Sequence, residues 1–185
     1  MINYALPTAL EVGGVSREIR SDFRAVLDII SALNDPELSE TEKVIASLSM
    51  FFVDDVPFSL YDEAQERMGW FVDCGRDPQT GTGKRPPKLM DWEQDFPLII
   101  GPVNRVLGFE ARAAEYLHWW TFVGAYNDIG DCAFAQVVHI RDLKARGKPL
   151  DKPDRDWYNR NRDIVDFKTK YTDAEDAAIR ELLGG

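Results

Sequence analysis

The stretch Leu117-His118-Trp119-Trp120-Thr121-Phe122 decides the fold class that this sequence predicts. It lies within residues 113–126, where almost every side chain is apolar or small and only Glu115 and His118 form a narrow polar strip. A helix that is apolar on nearly all sides must be covered on nearly all sides, so we predict a central helix of a bundle here. The segment is too short to cross a bilayer, which takes about 20 apolar residues.

The adjacent tryptophans within this stretch point about 100° apart on a helix and cannot share one packing partner. Trp120 falls on one stripe with Ala113 and Leu117. We therefore predict that Trp120 is buried and that Trp120→Ala costs about 3–5 kcal/mol of stability. Either two neighbouring elements cover both rings, or one ring stays exposed as a contact for another molecule.

The residues that precede this stretch predict one β-hairpin and three helices. Residues 9–12 and 15–19 flank Gly13-Gly14, a pair suited to a two-residue turn, with Leu10 and Val12 on one face. Ser39-Glu40-Thr41-Glu42 is a capping box that opens the second helix. Apolar residues at helical spacing predict the inner faces of the three helices: Phe23, Val26, Leu27, Ile30 and Leu33; Val44, Ile45, Leu48, Phe51 and Phe52; Leu60, Ala64, Met68, Phe71 and Val72.

Four more helices are predicted in the second half besides the central one. The first follows Asp91 and contains Pro97 and Pro102, so it must be kinked or built from two short pieces. Residues 132–146 form the next, Asp151 and Pro153 begin another, and the capping box at 172–175 opens a terminal helix. The fold class is mainly α, a helical bundle with a short N-terminal β-hairpin.

Four segments follow from these elements. They are an acidic N-terminal region (1–75), a flexible Gly- and Pro-rich linker (76–90), a region around the two tryptophans (91–168) and a C-terminal helix or tail (169–185). One continuous domain remains an open alternative. Candidate residues for the core or for partner contacts are Trp92, Leu117, His118, Trp119, Trp120, Phe122 and Trp157.

Composition and charge predict an ordinary globular protein of the cytosol. The 185 residues are 44% hydrophobic and 29% charged, no signal peptide is recognised, and Cys74 and Cys132 are expected to be free thiols. Residues 1–75 carry 14 acidic and five basic residues, a net charge of −9, whereas residues 141–162 carry a net charge of +4. This asymmetry suits head-to-tail self-association or a charged protein partner, or simply reflects solvated charged faces.

Residue patterns that would support catalysis, metal binding or nucleic-acid binding are missing from the sequence. His118 and His139 are the only histidines and stand 21 residues apart, so neither a zinc site nor a catalytic constellation is predicted. Gly81-Thr82-Gly83-Lys84 lacks the other residues of a phosphate-binding loop. The pI of about 4.7 argues against nucleic-acid binding. We expect no enzyme activity, no cofactor, no bound metal, no nucleic acid and no membrane partner.

Several stretches resemble the bacteriophage gene-product-fifteen family, which is found among the tail genes of phages of Gram-positive bacteria. The resemblance runs from about Leu6 to Phe167 and is most specific in residues 116–122 and 134–141. It is supported by weaker similarities at Asp22-Phe23-Arg24, Val56-Pro57 and Phe71-Val72-Asp73-Cys74-Gly75. The Pro97 and Pro102 pair departs from the smoother helix expected in relatives.

The resemblance implies a tail assembly chaperone of the host cytoplasm that binds the phage tape measure protein and has no catalytic residues. Such a protein coats the long, aggregation-prone tape measure before tube subunits polymerise around it, so the tail tube protein is a further candidate partner. A structural subunit or adaptor retained in the virion is the alternative. A homo-oligomer, the binding face and a longer frameshifted product are left open by the sequence.

Overall fold

The computed structural model describes residues 5–76, 87–168 and Glu175. The chain divides into two units, the first of which includes residues 5–76 and the second residues 87–168. Most of the predicted linker at 76–90 and all but one residue of the predicted C-terminal helix at 169–185 lie outside the described residues. The prediction of a mainly helical protein with a short N-terminal hairpin is confirmed.

The first unit begins with the predicted hairpin of β1 (Ala9–Val12) and β2 (Val15–Glu18). The two strands are antiparallel, and Val12 pairs with Val15 across the Gly13-Gly14 turn. Both glycines have positive φ angles, 61° and 71°, which a type I′ turn requires. Leu10 and Val12 are buried, as the alternation predicts.

Gly13→Ala should destabilise the first unit by about 1–2 kcal/mol, because an L residue is strained at this φ and the added Cβ meets Leu60. A Cβ at position 13 would lie 2.6 Å from Leu60 Cδ1. Gly69→Ala is the matched control, since its Cβ would meet nothing within 4 Å and the residue lies inside a helix. That change should stabilise the protein by about 0.5–1 kcal/mol. Urea denaturation of both variants checks the prediction, and equal midpoints would contradict it.

Within residues 5–76, the hairpin is followed by three α-helices, α1 (Phe23–Leu33), α2 (Glu40–Phe51) and α3 (Tyr61–Val72), with a 3-10 helix at Phe58–Leu60 before α3. The capping box of α2 is confirmed: Ser39 Oγ accepts the Glu42 N–H, and the Glu42 carboxylate accepts the Ser39 N–H at 2.8 Å. Helix α3 ends as predicted, because Cys74 and Gly75 both take positive φ angles.

The core of the first unit is built largely from the predicted apolar positions. The buried side chains on its helices include Phe23, Val26, Ile29, Leu48, Phe51, Ala64, Met68 and Phe71. The rings of Phe51 and Phe71 lie 5.3 Å apart and join α2 to α3. Two predicted inner positions are wrong: Leu33 is 37% exposed on the last turn of α1, and Ile45 is 45% exposed on α2. Ile29, which the prediction omitted, is fully buried.

The second unit contains five α-helices in its described residues, α4 (Trp92–Leu107), α5 (Trp119–Asn127), α6 (Ala133–Ala145), α7 (Lys152–Arg160) and α8 (Arg162–Val165), and a 3-10 helix at Ala111–Ala113. Helix α4 starts at the N-cap Asp91 and ends at Gly108, whose φ is 77°. It runs through Pro97 and Pro102 as a single element, so the alternative of two short pieces is wrong. The predicted helix after Asp151 is interrupted at Asn161, which separates α7 from α8.

The central helix predicted for 113–126 is wrong in its first half. Helix α5 begins only at Trp119, because the backbone of His118 is extended and its Nδ1 accepts the Trp120 N–H at 3.0 Å. Ala113, Leu117 and Trp120 therefore do not share a helical stripe. The buried ring is Trp119, at 2% exposure, whereas Trp120 is half-buried, so the predicted burial of Trp120 is also wrong.

A buried ion pair joins α4 to α6. Arg141 Nη1 donates to Asp95 Oδ2 at 2.6 Å and Nη2 donates to Oδ1 at 3.0 Å. The remaining donors of the guanidinium go to three backbone carbonyls, those of Leu89, Ile164 and Val165. Because a guanidinium has five N–H groups, every donor is satisfied. The side chains of Arg141 and Asp95 are 4% and 0% exposed.

Candidate protein-binding site

Three of the candidate aromatic residues form a cluster where α4, α5 and α6 meet. The aromatic cluster consists of Trp92, Trp119, Phe122, Tyr126 and Phe134. The Trp92 ring centroid lies 5.7 Å from that of Trp119 and 4.9 Å from that of Tyr126. Trp119 and Phe122 stack at 5.9 Å, and Phe134 closes the cluster at 6.0 Å from Tyr126.

Burial makes the aromatic cluster a part of the core. Trp119, Phe122 and Phe134 are at most 2% exposed, and Trp92 is half-buried at the first residue of α4. The Tyr126 hydroxyl donates to Met90 Sδ at 3.2 Å. Burial raises the pKa of Tyr126, and the charge of Asp95 adds to the effect. These rings hold the second unit together, and a partner could reach only the partly exposed edges of Trp92 and Tyr126.

The other candidate residues serve structural roles as well. Leu117 and His118 are buried, and His118 caps α5 through its ring nitrogen. Trp120 is half-buried, with its ring centroid 6.0 Å from that of His118. Trp157 is half-buried too, and it packs with Tyr158 against the core residues Val137, Ile140 and Val165. None of the seven candidates is a strongly exposed aromatic anchor.

A surface groove in the first unit differs from these residues, because it exposes large apolar side chains to solvent. It lies between α2 on one side and the 3-10 helix with the start of α3 on the other, and its volume is about 560 Å³. We name it the α2–α3 groove, and its lining residues are Glu40, Thr41, Val44, Ile45, Phe58, Ser59, Tyr61, Asp62 and Gln65. Its volume falls in the range of roughly 300–1,000 Å³ that is typical of binding clefts.

The α2–α3 groove exposes large apolar side chains. Phe58 is 80% exposed and Ile45 is 45% exposed, whereas Val44 and Tyr61 are half-buried. The Phe58 ring lies 5.1 Å from that of Tyr61. Burying a phenylalanine that is free in solvent is worth about 1.5–3 kcal/mol. A partner that covers Phe58 gains most of this free energy.

The local backbone explains why Phe58 points outward. Pro57 precedes it with φ fixed at −57°, and the Leu60 N–H donates to the Pro57 carbonyl at 2.8 Å to close a 3-10 turn. Leu60 then turns towards Gly13 of the hairpin. Because the turn directs Leu60 inward, Phe58, two residues earlier, is left on the surface.

The rim of the α2–α3 groove is acidic. Two carboxylates, Glu40 and Asp62, belong to its lining, and no Lys or Arg is found among the lining residues that the structure describes. The nearby Lys43 ammonium is held by Glu40 Oε1 at 2.9 Å, and the Glu40 side chain stays 92% exposed. Glu42 is a further carboxylate in the first turn of α2, and hydrogen bonds from the Ser39 side chain and backbone lower its pKa.

Sequence reasoning missed the groove because it placed Ile45 in the core and treated Phe58 only as the start of a helix. A usable signal was present: Phe58 directly follows a proline and stands two residues before Leu60, so it falls outside the apolar stripe of α3.

The described residues contain neither a group of metal ligands nor a membrane-spanning helix. Among residues 5–76 and 87–168, no three His, Cys, Asp or Glu side chains are grouped so that they could hold a metal ion. In the same ranges, no helix combines the length and the apolar character needed to cross a membrane.

Comparison with known proteins gives one match. The family model described as Bacteriophage Gp15 protein matches residues 2–167. Neither the curated proteins nor the solved structures gave a significant match. The family match spans the hairpin, the α2–α3 groove and the aromatic cluster.

Proposed function

This chain belongs to the bacteriophage Gp15 family, and we propose that it acts as a tail assembly chaperone that binds the tape measure protein of its phage. It works in the host cytoplasm, without catalysis and without a cofactor, and it releases the tape measure as tube subunits assemble. Family membership supports a phage protein, and the chaperone role is the function that best fits its surface.

The observation that carries the proposal is the exposed apolar side of the α2–α3 groove. A chaperone for a long helical client needs an apolar surface that is accessible before binding and that packs against a helix. Phe58 and Ile45 provide such a surface in the first unit. The net charge of −9 on residues 1–75 keeps this surface soluble while no client is bound.

Co-expression with the tape measure protein of the same phage tests the proposal. We expect the tape measure to be insoluble when expressed alone, and to be soluble and co-purify when this chain is present. Binding should survive a wash at high salt, because apolar burial is not screened whereas surface charge pairs are. A tape measure that stays insoluble, with this chain found stoichiometrically in finished virions, would instead support the structural adaptor.

A further inference from the structure

We propose that the α2–α3 groove binds a cationic amphipathic helix, whose apolar stripe covers Phe58 and Ile45 and whose flanking lysines or arginines face Glu40 and Asp62. The proposed function supplies the source of this helix, a segment of the tape measure protein. The chemistry of the ligand follows from the groove alone.

The shape of the groove favours a helix as the ligand. Its two walls are α2 and the 3-10 helix leading into α3, and a furrow between two such elements accepts a third helix. The exposed apolar side chains come from both walls, Ile45 from one and Phe58 from the other. A helix with apolar residues at i, i+3, i+4 and i+7 presents one stripe that can contact both walls together.

The charges at the rim select the flanking residues of the ligand. Glu40 and Asp62 belong to opposite walls, and the described residues of the lining include no Lys or Arg. Lys43, outside the lining, pairs with Glu40 at 2.9 Å, but the Glu40 side chain stays 92% exposed and open to a second cation. Lysine or arginine beside the apolar stripe would meet a carboxylate on each side, whereas an acidic helix would be repelled from both. Rim charges of this kind act mainly on the association rate and its salt dependence.

The basic segment 141–162 of a second copy, as far as the structure describes it, does not offer such a helix. The basic segment 141–162 contains the end of α6 and all of α7. The apolar side chains of α7, Trp157 and Tyr158, already pack against Val137, Ile140 and Val165. The Arg141 side chain is buried on Asp95. A separate protein is therefore the occupant that we infer.

Synthetic helices test the ligand chemistry with the full chain. The first probe is a fluorescein-labelled peptide with leucines at helical spacing and lysines on its remaining face. The matched probe has glutamate in place of every lysine, and a third probe scrambles the lysine peptide. We expect fluorescence anisotropy to show binding of the lysine helix and at least roughly tenfold weaker binding of the other two. Equal binding of the lysine and glutamate helices would overturn the charge assignment.

Surface variants locate the bound peptide. Phe58→Ser and Ile45→Ser should each weaken binding of the lysine helix by roughly tenfold. Val15→Ser is the matched control, since Val15 is 53% exposed on the hairpin and is not part of the groove lining. All three positions are solvent-exposed, so the unfolding transition should be unchanged. The double variant Glu40→Gln/Asp62→Asn should slow association and flatten its salt dependence. Undiminished affinity in the Phe58 and Ile45 variants would overturn the inference.

The combined results separate this inference from the proposed function. If the lysine helix binds through Phe58 but the tape measure does not co-purify, the groove assignment stands and the chaperone role fails. If the tape measure co-purifies equally well with Phe58→Ser, the chaperone role stands and the groove assignment fails. If the free chain is a dimer in analytical ultracentrifugation and Phe58→Ser makes it a monomer, a second copy occupies the groove and our inference is wrong.

Discussion

Replacing Arg141 with methionine should lower the free energy of unfolding by about 3–5 kcal/mol. The change leaves a fully buried Asp95 carboxylate without its charged partner, and the Asp91 N–H, which donates to Asp95 Oδ2 at 2.9 Å, is the hydrogen-bond donor that remains to it within the described residues. It also removes the hydrogen bonds that the guanidinium donates to the backbone carbonyls of Leu89, Ile164 and Val165. Methionine fills much of the volume, so the loss reflects an unpaired charge and unpaired carbonyls more than a cavity.

Urea denaturation followed by tryptophan fluorescence measures this loss. Four of the five tryptophans lie in the second unit, so the signal reports chiefly on the unit that contains the ion pair. Arg146→Met is the control at the C-cap of the same helix: Arg146 is 60% exposed and pairs with Asp142 one turn away, so its loss should cost less than about 0.5 kcal/mol.

The double variant Asp95→Asn/Arg141→Met gives a second measure of the same effect. It removes the buried charge together with its partner, so it should be more stable than Arg141→Met alone. If Arg141→Met and Arg146→Met have the same midpoint, the pair does not stabilise the fold as the structure indicates.

Trp119→Ala should cost about 3–5 kcal/mol, because it removes a large ring from the middle of the aromatic cluster. The ring is 2% exposed and contacts Trp92 and Phe122. The neighbouring Trp120→Ala is the matched control, with the same chemistry at a half-buried position, and it should cost about 1 kcal/mol. Thermal and urea unfolding of the two variants compare them directly.

This comparison also decides between two placements of the same helix. The apolar pattern of residues 113–126 predicts that Trp120 is the buried ring, whereas the start of α5 at Trp119 makes Trp119 the buried ring. A larger loss for Trp120→Ala would support the longer helix and contradict the cap at His118.

Elements with short-range signals could be predicted from the sequence. The Gly13-Gly14 turn needs positive φ angles that glycine supplies, and the capping box at Ser39 and Glu42 satisfies its own backbone groups. The end of α3 at Cys74 and Gly75 is equally local. In each case the residues that determine the conformation are within four positions of one another.

Elements that depend on distant or unusual partners could not be predicted. His118 acts as an N-cap, a position where Ser, Thr, Asp and Asn are the residues expected. The apolar pattern therefore predicted a helix from residue 113, whereas α5 begins at Trp119. Asp95 and Arg141 stand 46 residues apart, and no local pattern pairs them. The α2–α3 groove could not be predicted, because helical spacing alone does not distinguish an exposed isoleucine, such as Ile45, from a buried one.

The converging hydrogen bonds of Arg141 have a consequence for the order of events during protein synthesis. The guanidinium holds the carbonyls of Leu89 and Val165, and it lies 4.0 Å from the ring of Phe167. The ribosome delivers these partners in sequence, at about 5–20 residues per second. Until residue 167 has left the exit tunnel, Asp95 and Arg141 lack the chain that encloses them. The second unit should therefore mature late in translation, after the partners of Arg141 have been synthesised.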